Sequence, residues 1–410
     1  MTVSVMKFGG TSVATTARIE RAAVRISREH ARGRCVVVVV SAMGKATDRL
    51  LELANQVAAS PDKRELDALL ATGEQRSAAL LAMALIGRGC PAVSLTGWQA
   101  GIKTEPVHGG ARIMTVDAAT VRAHLRNGQI VVVTGFQGVD SSNAVTTLGR
   151  GGSDTSAVAL AVALGAARCE IYTDVTGVFT TDPRVLSQAR KLKEISYDEM
   201  LEMAYLGAGV LHPRAVEYAK NNHIELVVRS SFSDEDGTVI KEEVAMETAK
   251  IVRGLAFERK VSKVTLIGLT NQMTAVSRVF DAIAEKRINV DVIVQDVLNE
   301  EKTSLSFTLD SEGLAETLDL LKGAQDALGF DQVLHESNLA KVSIIGSGMA
   351  SNPGVAAHMF HALAEKGIKV KMISTSEIKV STIIDEDRLQ EALETLHHTF
   401  ALDEEESYLL

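Results

Sequence analysis

Residues 1–232 alternate short, continuous apolar runs with longer segments of helical periodicity. The apolar runs are rich in β-branched residues and lack in–out alternation, which is typical of strands buried on both faces of a sheet. They predict strands over 3–6, 35–40, 92–95, 130–133 and 169–173. The segments between them predict helices over 16–30, 47–58, 64–86, 116–127 and 154–164, several followed by a capping glycine. This alternation predicts an α/β fold with a mainly parallel sheet sandwiched by helices.

The pattern changes after residue 232, where Asp, Glu, Gly and Thr dominate and predict a linker over 233–260. Beyond it an internal repeat begins. KVTLIG at residues 263–268 recurs as KVSIIG at 341–346, and FDAIAEK at 280–286 recurs as FHALAEK at 360–366. Each copy predicts strand, helix, strand, strand, helix and a final strand. We therefore predict a first domain over 1–232 and two small domains over 261–337 and 338–410, either a duplicated scaffold or a pair of ligand sites.

Composition and charge narrow the classes of function. The 410 residues are 46% hydrophobic and 23% charged, ordinary values for a globular protein, and the net charge of −9 is unlike that of a nucleic-acid binder. The longest apolar run, residues 35–40, is too short to cross a membrane, and the N-terminus lacks a secretion pattern. Three widely spaced cysteines form neither a disulfide framework nor a metal motif. We expect a cytoplasmic protein with reduced thiols and neither nucleic-acid nor membrane partners.

Two glycine-rich loops are candidates for binding an anion. KFGGTS at residues 7–12 follows the first predicted strand, and its glycines let the backbone approach a phosphate beside the charge of Lys7. TLGRGGSD at 147–154 precedes a predicted helix, and the guanidinium fork of Arg150 suits a carboxylate. Neither loop is a Walker motif or a complete G-x-G-x-x-G. Each is also compatible with an ordinary capped turn, and two in one α/β domain make phosphate chemistry an equal alternative to that interpretation.

A third candidate is YTDVTGVFTTDPR at residues 172–184. It begins where a predicted strand ends, and sheets of this class bind ligands beyond the carboxyl ends of their strands. The alternative is a structured surface turn without a ligand.

These stretches, together with VVVVVSAMG at 36–44, ATGEQ at 71–75 and GFQG at 135–138, resemble the amino acid kinase family and, within it, the aspartokinases. The two repeats resemble tandem ferredoxin-like βαββαβ ACT domains, which bind small effectors such as amino acids. The resemblance covers nearly the whole chain and is closest to the short, monofunctional, lysine-sensitive type.

This resemblance implies an ATP:L-aspartate 4-phosphotransferase. The reaction moves the γ-phosphoryl group of MgATP to the β-carboxylate of L-aspartate and gives 4-phospho-L-aspartate, at the start of lysine, threonine and methionine biosynthesis. ATP and Mg²⁺ are the implied cofactors, and no protein metal site is expected. A carboxylate is already ionised at neutral pH, so the reaction depends on positioning and charge cancellation, and a strong general base is unnecessary.

The family's motifs also imply roles for individual residues. The implied catalytic residues are Lys7, Arg150 and Asp154. The residues expected to bind ATP are Lys7, Phe8, Gly9, Gly10, Thr173, Asp174, Phe179, Thr180, Thr181, Asp182, Pro183 and Arg184. The residues expected to bind aspartate are Ser41, Thr47, Glu74, Arg150, Gly151, Gly152 and Ser153. We expect His212 to be structural, and Gly209 stands where many relatives carry a nucleotide-contacting lysine.

The ACT resemblance implies feedback inhibition by lysine, with threonine as a second candidate effector, and a homo-oligomer formed through these domains. In the first repeat the expected effector contacts are Asn271, Ala275, Val276, Asn289, Val290, Asp291 and Gln295. In the second they are Val355, Ala356, Val370, Ser376 and Glu377. Core packing is the alternative for the apolar members. Only the second repeat keeps an Asn-Pro-Gly loop, at 352–354, so the two sites are expected to differ in selectivity or one to be empty.

Two other functions compete with this interpretation. One is another member of the kinase family, acting on glutamate, acetylglutamate, carbamate or a nucleotide, but Glu74 within ATGEQ and the paired repeats argue against it. The other is a non-catalytic amino-acid sensor, against which the intact Lys7, Arg150 and Asp154 argue.

Met246, at the end of the predicted linker, is either an ordinary internal methionine or an internal start for a shorter regulatory chain, as some relatives of this type produce. An internal start predicts that intact-mass analysis of the protein from its native host shows a second chain beginning there. Detection of the full-length chain alone would contradict this hypothesis.

Overall fold

The computed structural model describes residues 2–207, 209–242, 250–297 and 299–404. It divides into two compact units, Met1–Phe179 with Lys191–Glu247 and Thr180–Arg190 with Thr248–Leu410. Met246 lies outside the described residues. Within the described ranges, no helix has the length and apolar character needed to cross a membrane.

The first unit contains twelve strands and eight α-helices among its described residues. The strands are β1 (Val3–Phe8), β2 (Cys35–Val40), β3 (Ala92–Leu95), β4 (Ile102–Thr104), β5 (Ile113–Val116), β6 (Ile130–Thr134), β7 (Gln137–Val139), β8 (Val145–Thr147), β9 (Arg168–Thr173), β10 (Glu194–Ser196), β11 (Glu225–Ser230) and β12 (Thr238–Lys241). The helices are α1 (Thr16–Ala31), α2 (Ala46–Val57), α3 (Lys63–Leu70), α4 (Thr72–Gly87), α5 (Ala119–Arg126), α6 (Gly152–Leu164), α7 (Tyr197–Tyr205) and α8 (Pro213–Asn221).

Eight strands form one sheet in the order β10-β12-β11-β9-β1-β2-β6-β3, and β5-β4-β7-β8 form a smaller sheet. In the large sheet every neighbouring pair is parallel except β11 and β12. The central strands are buried on both faces, as residues 36–40 and 130–133 illustrate with no exposed area. The mainly parallel sheet predicted from continuous β-branched runs is therefore confirmed.

Three segments of the first unit differ from the prediction. The helix predicted over 64–86 is two helices, α3 and α4, because the carbonyl of Ala71 accepts a hydrogen bond from Gln137 Nε2 at 2.8 Å. The helix predicted from residue 116 begins at Ala119, since Ile113–Val116 pairs as β5. The segment predicted as a linker contains β12, which pairs with β10 and β11.

The second unit contains a single six-stranded sheet in the order β14-β15-β13-β16-β18-β17, antiparallel throughout its described pairs. Its strands are β13 (Gly254–Thr270), β14 (Val290–Val297), β15 (Lys302–Asp310), β16 (Gln332–Ile345), β17 (Met372–Thr375) and β18 (Lys379–Asp385). Its helices are α9 (Met273–Glu285), α10 (Leu314–Gly323), α11 (Gln325–Leu328), α12 (Val355–Glu365) and α13 (Leu389–Thr399).

The two repeats share the long strands β13 and β16. The start of β13 pairs with the end of β16, as Gly254 opposite Ile345 shows. Val252 and Leu255, from the segment predicted as linker, pack in the core of the second repeat with Met359. In both repeats the predicted order strand, helix, strand, strand, helix is confirmed. The final strand predicted for the second repeat does not follow α13 among the described residues, and the start of β13 pairs with β16 there. The domain limits remain a prediction.

Asp67, in α3, is a buried carboxylate that joins three segments of the first unit. It is only 1% exposed. It accepts hydrogen bonds from the backbone nitrogens of Gly109 and Thr147, each at 3.0 Å, and from Thr147 Oγ1 at 2.6 Å. His108 Nδ1 lies 3.0 Å from the same carboxylate. Because Thr147 ends β8 and begins the second glycine-rich loop, Asp67 fixes the position at which that loop starts.

We expect Asp67→Ala to lower the free energy of unfolding of the first unit by about 3 kcal/mol, because it leaves buried backbone donors without an acceptor. The matched control is Asp62→Ala, which removes an exposed cap from the same helix and should cost about 1 kcal/mol. Urea denaturation followed by the fluorescence of Trp98, the single tryptophan, reports on this unit. Equal losses of unfolding free energy in the two variants would contradict the conclusion that Asp67 holds three segments of the unit together.

Candidate active site

The polar loops of the first unit gather at one edge of the large sheet. The neighbouring strands β9, β1, β2 and β6 are parallel, so their carboxyl ends lie side by side. This edge carries the predicted site residues that end or follow those strands, namely Phe8, Gly9, Gly10, Ser41, Thr173 and Asp174. A parallel sheet places ligand-binding loops at this edge because the connecting helices return the chain along its faces.

A buried ion pair lies at the centre of this edge. Lys7 Nζ, from β1, lies 2.6 Å from Asp154 Oδ1, in the first turn of α6, and the two side chains are 10% and 11% exposed. The N-terminus of α6 also favours the negative charge of Asp154. The contact is an ion pair by distance, while Asp154 Oδ1 has no hydrogen-bond partner among the described residues, so mutual attraction is what offsets the removal of both charges from water. The pair therefore holds the ammonium group of Lys7 in one place.

The first glycine-rich loop lies directly against the loop that follows β2. A Cβ atom on Gly10 would come within 2.8 Å of the carbonyl oxygen of Ala42, and Gly44 N donates to Gly10 O at 3.0 Å. A Cβ on Gly9 would lie 3.7 Å from Lys7 Nζ. Side chains at these positions would fill the space beside the ammonium, so the glycines leave a cradle suited to a phosphoryl group.

The second glycine-rich loop packs against the N-terminus of α8. Gly151 has a φ of +67°, and a Cβ there would lie 2.1 Å from the Cβ of His212. His212 caps α8 by accepting from the backbone N–H of Arg214, and burial followed by the charge of Arg214 lowers the pKa of His212. Arg214 donates to the carbonyls of Leu148 at 2.6 Å and Ala111 at 3.0 Å. His212 therefore has the structural role predicted for it, and the guanidinium of Arg214 is already engaged.

The remaining loop residues differ in their exposure. Arg150 is exposed, and among the described residues no carboxylate lies within 4.0 Å of its guanidinium. Ser153 is 8% exposed and packs closely on the loop after β6, where a Cβ on Gly135 would lie 2.7 Å away. Thr47, half-buried, lies in the first turn of α2. The loop thus presents a charged group with capacity to bind an anion.

Glu74, in the first turn of α4, is a buried carboxylate with only part of its hydrogen-bonding capacity used. It is 3% exposed, and Oε1 accepts from the backbone N–H of Ala42 at 3.0 Å. Oε2 has no hydrogen-bond partner in the described part of the chain. Burial raises the pKa of Glu74 to about 7, against the smaller lowering effect of backbone hydrogen bonds. A buried carboxylate of this kind is suited to binding a cationic group.

The predicted nucleotide-binding segment is divided between the units. Phe179 belongs to the first unit, whereas Thr180, Thr181, Asp182, Pro183 and Arg184 belong to the second. Thr180 Oγ1 lies 2.9 Å from His397 Nε2 and accepts from Arg190 N at 2.9 Å. Nucleotide binding by the side chain of Thr180 would require an exchange of these contacts. The roles of the whole segment remain predictions.

The effector residues predicted in the repeats occupy different environments. Ala275 and Val355 are buried, with Val276, Ala356 and Val370 packed partly against the cores. The polar ones are more accessible: Asn289, Asp291 and Gln295 lie on or just before the edge strand β14, Ser376 and Glu377 form the turn after β17, and Asn271 is half-buried. Asp291 is already paired with Lys341, a 4%-exposed lysine of the second repeat that also lies 2.7 Å from Glu258.

Sequence reasoning missed Asp67, Arg214 and Lys341 as positioning residues. For Asp67 a signal existed, because it lies at helical spacing with Ala71 and Glu74 and therefore on a buried face. For Arg214 and Lys341 the partners are distant in the sequence, and the local pattern contained no signal.

Comparisons with known proteins agree with this geometry. Residues 2–230 match the amino acid kinase family, and residues 342–400 match an ACT domain. The chain is 58% identical to an aspartokinase of Geobacillus stearothermophilus over 99% of this chain and 98% of the relative. It is 56% identical to aspartokinase 2 of Bacillus subtilis over 99% of this chain and 100% of the relative. Among solved structures it is similar to Escherichia coli aspartokinase III in complex with aspartate and ADP, with a TM-score of 0.78 and 28% identity over 97% of this chain and 99% of that chain.

We expect Gly151→Ala to destabilise the first unit by about 2 kcal/mol more than Gly165→Ala, because only the former overpacks a neighbouring side chain. Gly165 is the matched control, since its φ of +69° is nearly the same and a Cβ there meets no atom within 4 Å. Urea denaturation monitored by Trp98 fluorescence measures both variants. The same destabilisation in both would mean that the contact with His212 does not constrain the loop.

Proposed function

The chain belongs to the aspartokinases of the amino acid kinase family. We propose that, in its catalytic site, Lys7 binds the phosphoryl donor and Glu74 binds the amino-acid acceptor. The observation that carries this proposal is the meeting of the loops after β1 and β2. One loop surrounds a fixed ammonium group, and the other packs on a buried carboxylate with an unused oxygen. A phosphoryl donor and an amino-acid acceptor need these opposite charges.

Lys7 is proposed to hold the β- and γ-phosphoryl oxygens of ATP over Gly9 and Gly10. The ammonium group offsets the charge that separates as the phosphoryl group moves, and the absence of side chains lets backbone amides approach. Asp154 acts on Lys7 and positions it. We propose that Mg²⁺ arrives with the nucleotide and is held mainly by its phosphate oxygens, as Mg²⁺ commonly is in kinases.

Aspartate is proposed to bind between Glu74 and the second glycine-rich loop. Glu74 attracts the α-ammonium group, and Arg150 binds a carboxylate through its guanidinium fork. Ser153 and the backbone of Gly151 and Gly152 orient the substrate at the start of α6. These contacts place a nucleophilic carboxylate next to the phosphoryl group, and positioning of this kind supplies much of the rate in phosphoryl transfer.

The second unit is proposed to bind lysine, with threonine as a second candidate. Escherichia coli aspartokinase III, solved in complex with lysine and aspartate, is 28% identical to this chain with a TM-score of 0.78. The repeats begin their first helices differently, since Gly354 with a φ of +101° precedes α12 and the extended Gln272 precedes α9. This difference supports two sites of unequal selectivity. The homo-oligomer, the shorter chain starting at Met246 and the cytoplasmic location remain predictions.

We expect ATP turnover with aspartate, trapped as the acyl hydroxamate with hydroxylamine, to be suppressed by lysine. Lys7→Ala should lower this turnover about a hundredfold or more with Trp98 fluorescence unchanged, because it removes the charge beside the phosphoryl group. The exposed Lys63→Ala is the matched control.

Each outcome of this assay has a separate meaning. Turnover without suppression by lysine would keep the kinase and contradict the proposed effector. Retained activity in Lys7→Ala would refute the role of that residue. The absence of turnover in folded protein with Mg²⁺ would point to another carboxylate or to carbamate as the acceptor.

We also expect kcat/KM for aspartate to fall below about pH 7, approaching tenfold per pH unit, because kcat/KM reports the pKa of the free enzyme. The raised pKa of Glu74, about 7, means that acid neutralises it and removes its attraction for the α-ammonium group. Aspartate itself keeps its charges across this range. Glu74→Gln should abolish this fall of kcat/KM at low pH and raise KM. Glu65→Gln, an exposed control, should leave the fall of kcat/KM unchanged. An unchanged profile in Glu74→Gln would rule out Glu74 as the titrating group.

A further inference from the structure

A groove rich in arginine lies on the first unit, on the face of the sheet opposite the Lys7–Asp154 pair. Phe8 and Tyr172 stack on the α1 side with ring centroids 4.8 Å apart. Lys7, the neighbour of Phe8 in β1, points to α6 on the other side. The groove runs between α1 and the adjacent strands β9 and β11, and its lining includes Tyr172. It therefore does not belong to the candidate active site.

One wall of the groove is a stripe of arginines along α1 and its end. Arg18, Arg21, Arg25, Arg28 and Arg32 follow one another at intervals of three or four residues, which places them on one face of the helix. All five line the groove or its two extensions. Like charges at this spacing repel one another, so the stripe carries an electrostatic cost that a bound anion would reduce.

The other wall adds three more arginines. Arg34, Arg168 and Arg229 line a cavity of about 410 Å³, together with Arg25, Arg28 and Arg32 of the first wall. Eight arginines but only three carboxylates line the whole groove, in a protein whose net charge is −9. Such a concentration of positive charge raises the local potential and attracts anions.

The three carboxylates are shared, and they leave part of the positive charge uncompensated. Glu29 pairs with both Arg32 and Arg34. Asp234 pairs with Arg25 at 2.6 Å and approaches Arg28 at 3.5 Å.

The third carboxylate, on Glu170, lies 3.8 Å from Arg229 Nε, and Asp236, outside the groove, lies 3.8 Å from Nη1 of the same guanidinium. The Nε atom is buried and has no hydrogen-bond partner among the described residues. Outside the groove, Arg168 pairs with Glu225 at 3.1 Å. A ligand with several negative charges would complete these contacts.

We propose that this groove binds a small polyphosphate anion. Guanidinium forks bind phosphate oxygens in pairs, and several of them converge on a cavity of a size that suits a few linked phosphates. The carboxylates of Glu170 and Asp234 interrupt the basic surface and would repel a continuous nucleic-acid backbone. At the end of the groove, Phe232 is 37% exposed beneath Arg18, whose guanidinium carbon lies 4.9 Å from the ring centroid. A nucleoside carried by the polyphosphate would stack on the guanidinium plane of Arg18, which the Phe232 ring supports from the other side.

The test is calorimetric titration of the full chain with inorganic tripolyphosphate at physiological ionic strength. A groove variant, Arg28→Gln with Arg32→Gln and Arg34→Gln, removes three side chains that are 61%, 65% and 43% exposed. A matched control replaces Arg64, Arg122 and Arg126 with Gln, all exposed and outside the lining of the groove, and changes the net charge equally. Both sets are placed in the Lys7→Ala background, so that the loop around Lys7 contributes little to the binding.

We expect the groove variant to bind tripolyphosphate at least tenfold more weakly than the Lys7→Ala parent, with the control within twofold of it. Equal binding in the groove and control variants, or no binding to the parent, would overturn the proposal. With Lys7 restored, the groove variant should keep the kcat of the unsubstituted chain, which excludes misfolding as the cause.

A second arm distinguishes the two sources of the polyphosphate. Comparable affinities for tripolyphosphate and GTP would assign the groove to the phosphates alone. Tighter binding of GTP, lost in Phe232→Ala, would assign it to a nucleotide.

Discussion

The ion pair between Lys7 and Asp154 is the contact on which the catalytic site depends. It removes two charges from water, and such a pair is stable only when neither partner can move away from the other. β1 lies inside the sheet between β2 and β9, and α6 is buried along most of its length. Both charges therefore project from elements that the core already fixes, and the ammonium group is held in place without a reorganisation cost, as the proposed nucleotide site requires.

The loops around this pair approach one another too closely for side chains. Gly10 lies against Ala42, Gly135 against Ser153 and Gly151 against His212. These contacts explain why the sequence motifs are rich in glycine, since a phosphate cradle and close loop packing both require bare backbone. Asp67 and Arg214 hold the outer segments by accepting from, or donating to, backbone groups. The site is thus preorganised by hydrogen bonds made outside it, a condition for catalysis by positioning.

In the second unit, the two repeats form one continuous sheet. β13 and β16 run through both repeats, and Lys341 of the second repeat pairs with Asp291 of the first. A ligand that shifts one repeat would therefore act on strands that also belong to the other. The residues Thr180–Arg190 are part of this unit, although they continue directly from β9 and the loop at the catalytic edge. This covalent continuity links the unit of the proposed effector sites to the predicted nucleotide-binding segment, and allostery through it requires two states of different effector affinity.

The sequence by itself determined the fold class, the order of the elements and the family, because buried parallel strands, glycine loops and an internal repeat leave local patterns. It also indicated Lys7, Asp154 and Glu74, whose motifs are short and continuous. Tertiary structure alone decided that Lys7 and Asp154 meet, that Ala71 separates two helices, and that the segment around Leu255 joins the second repeat. It also decided that arginines from α1, β9 and β11 form one groove. Each of these contacts joins residues that are far apart in the chain. A local sequence pattern does not identify the distant side chain, carbonyl or strand with which a residue will pair.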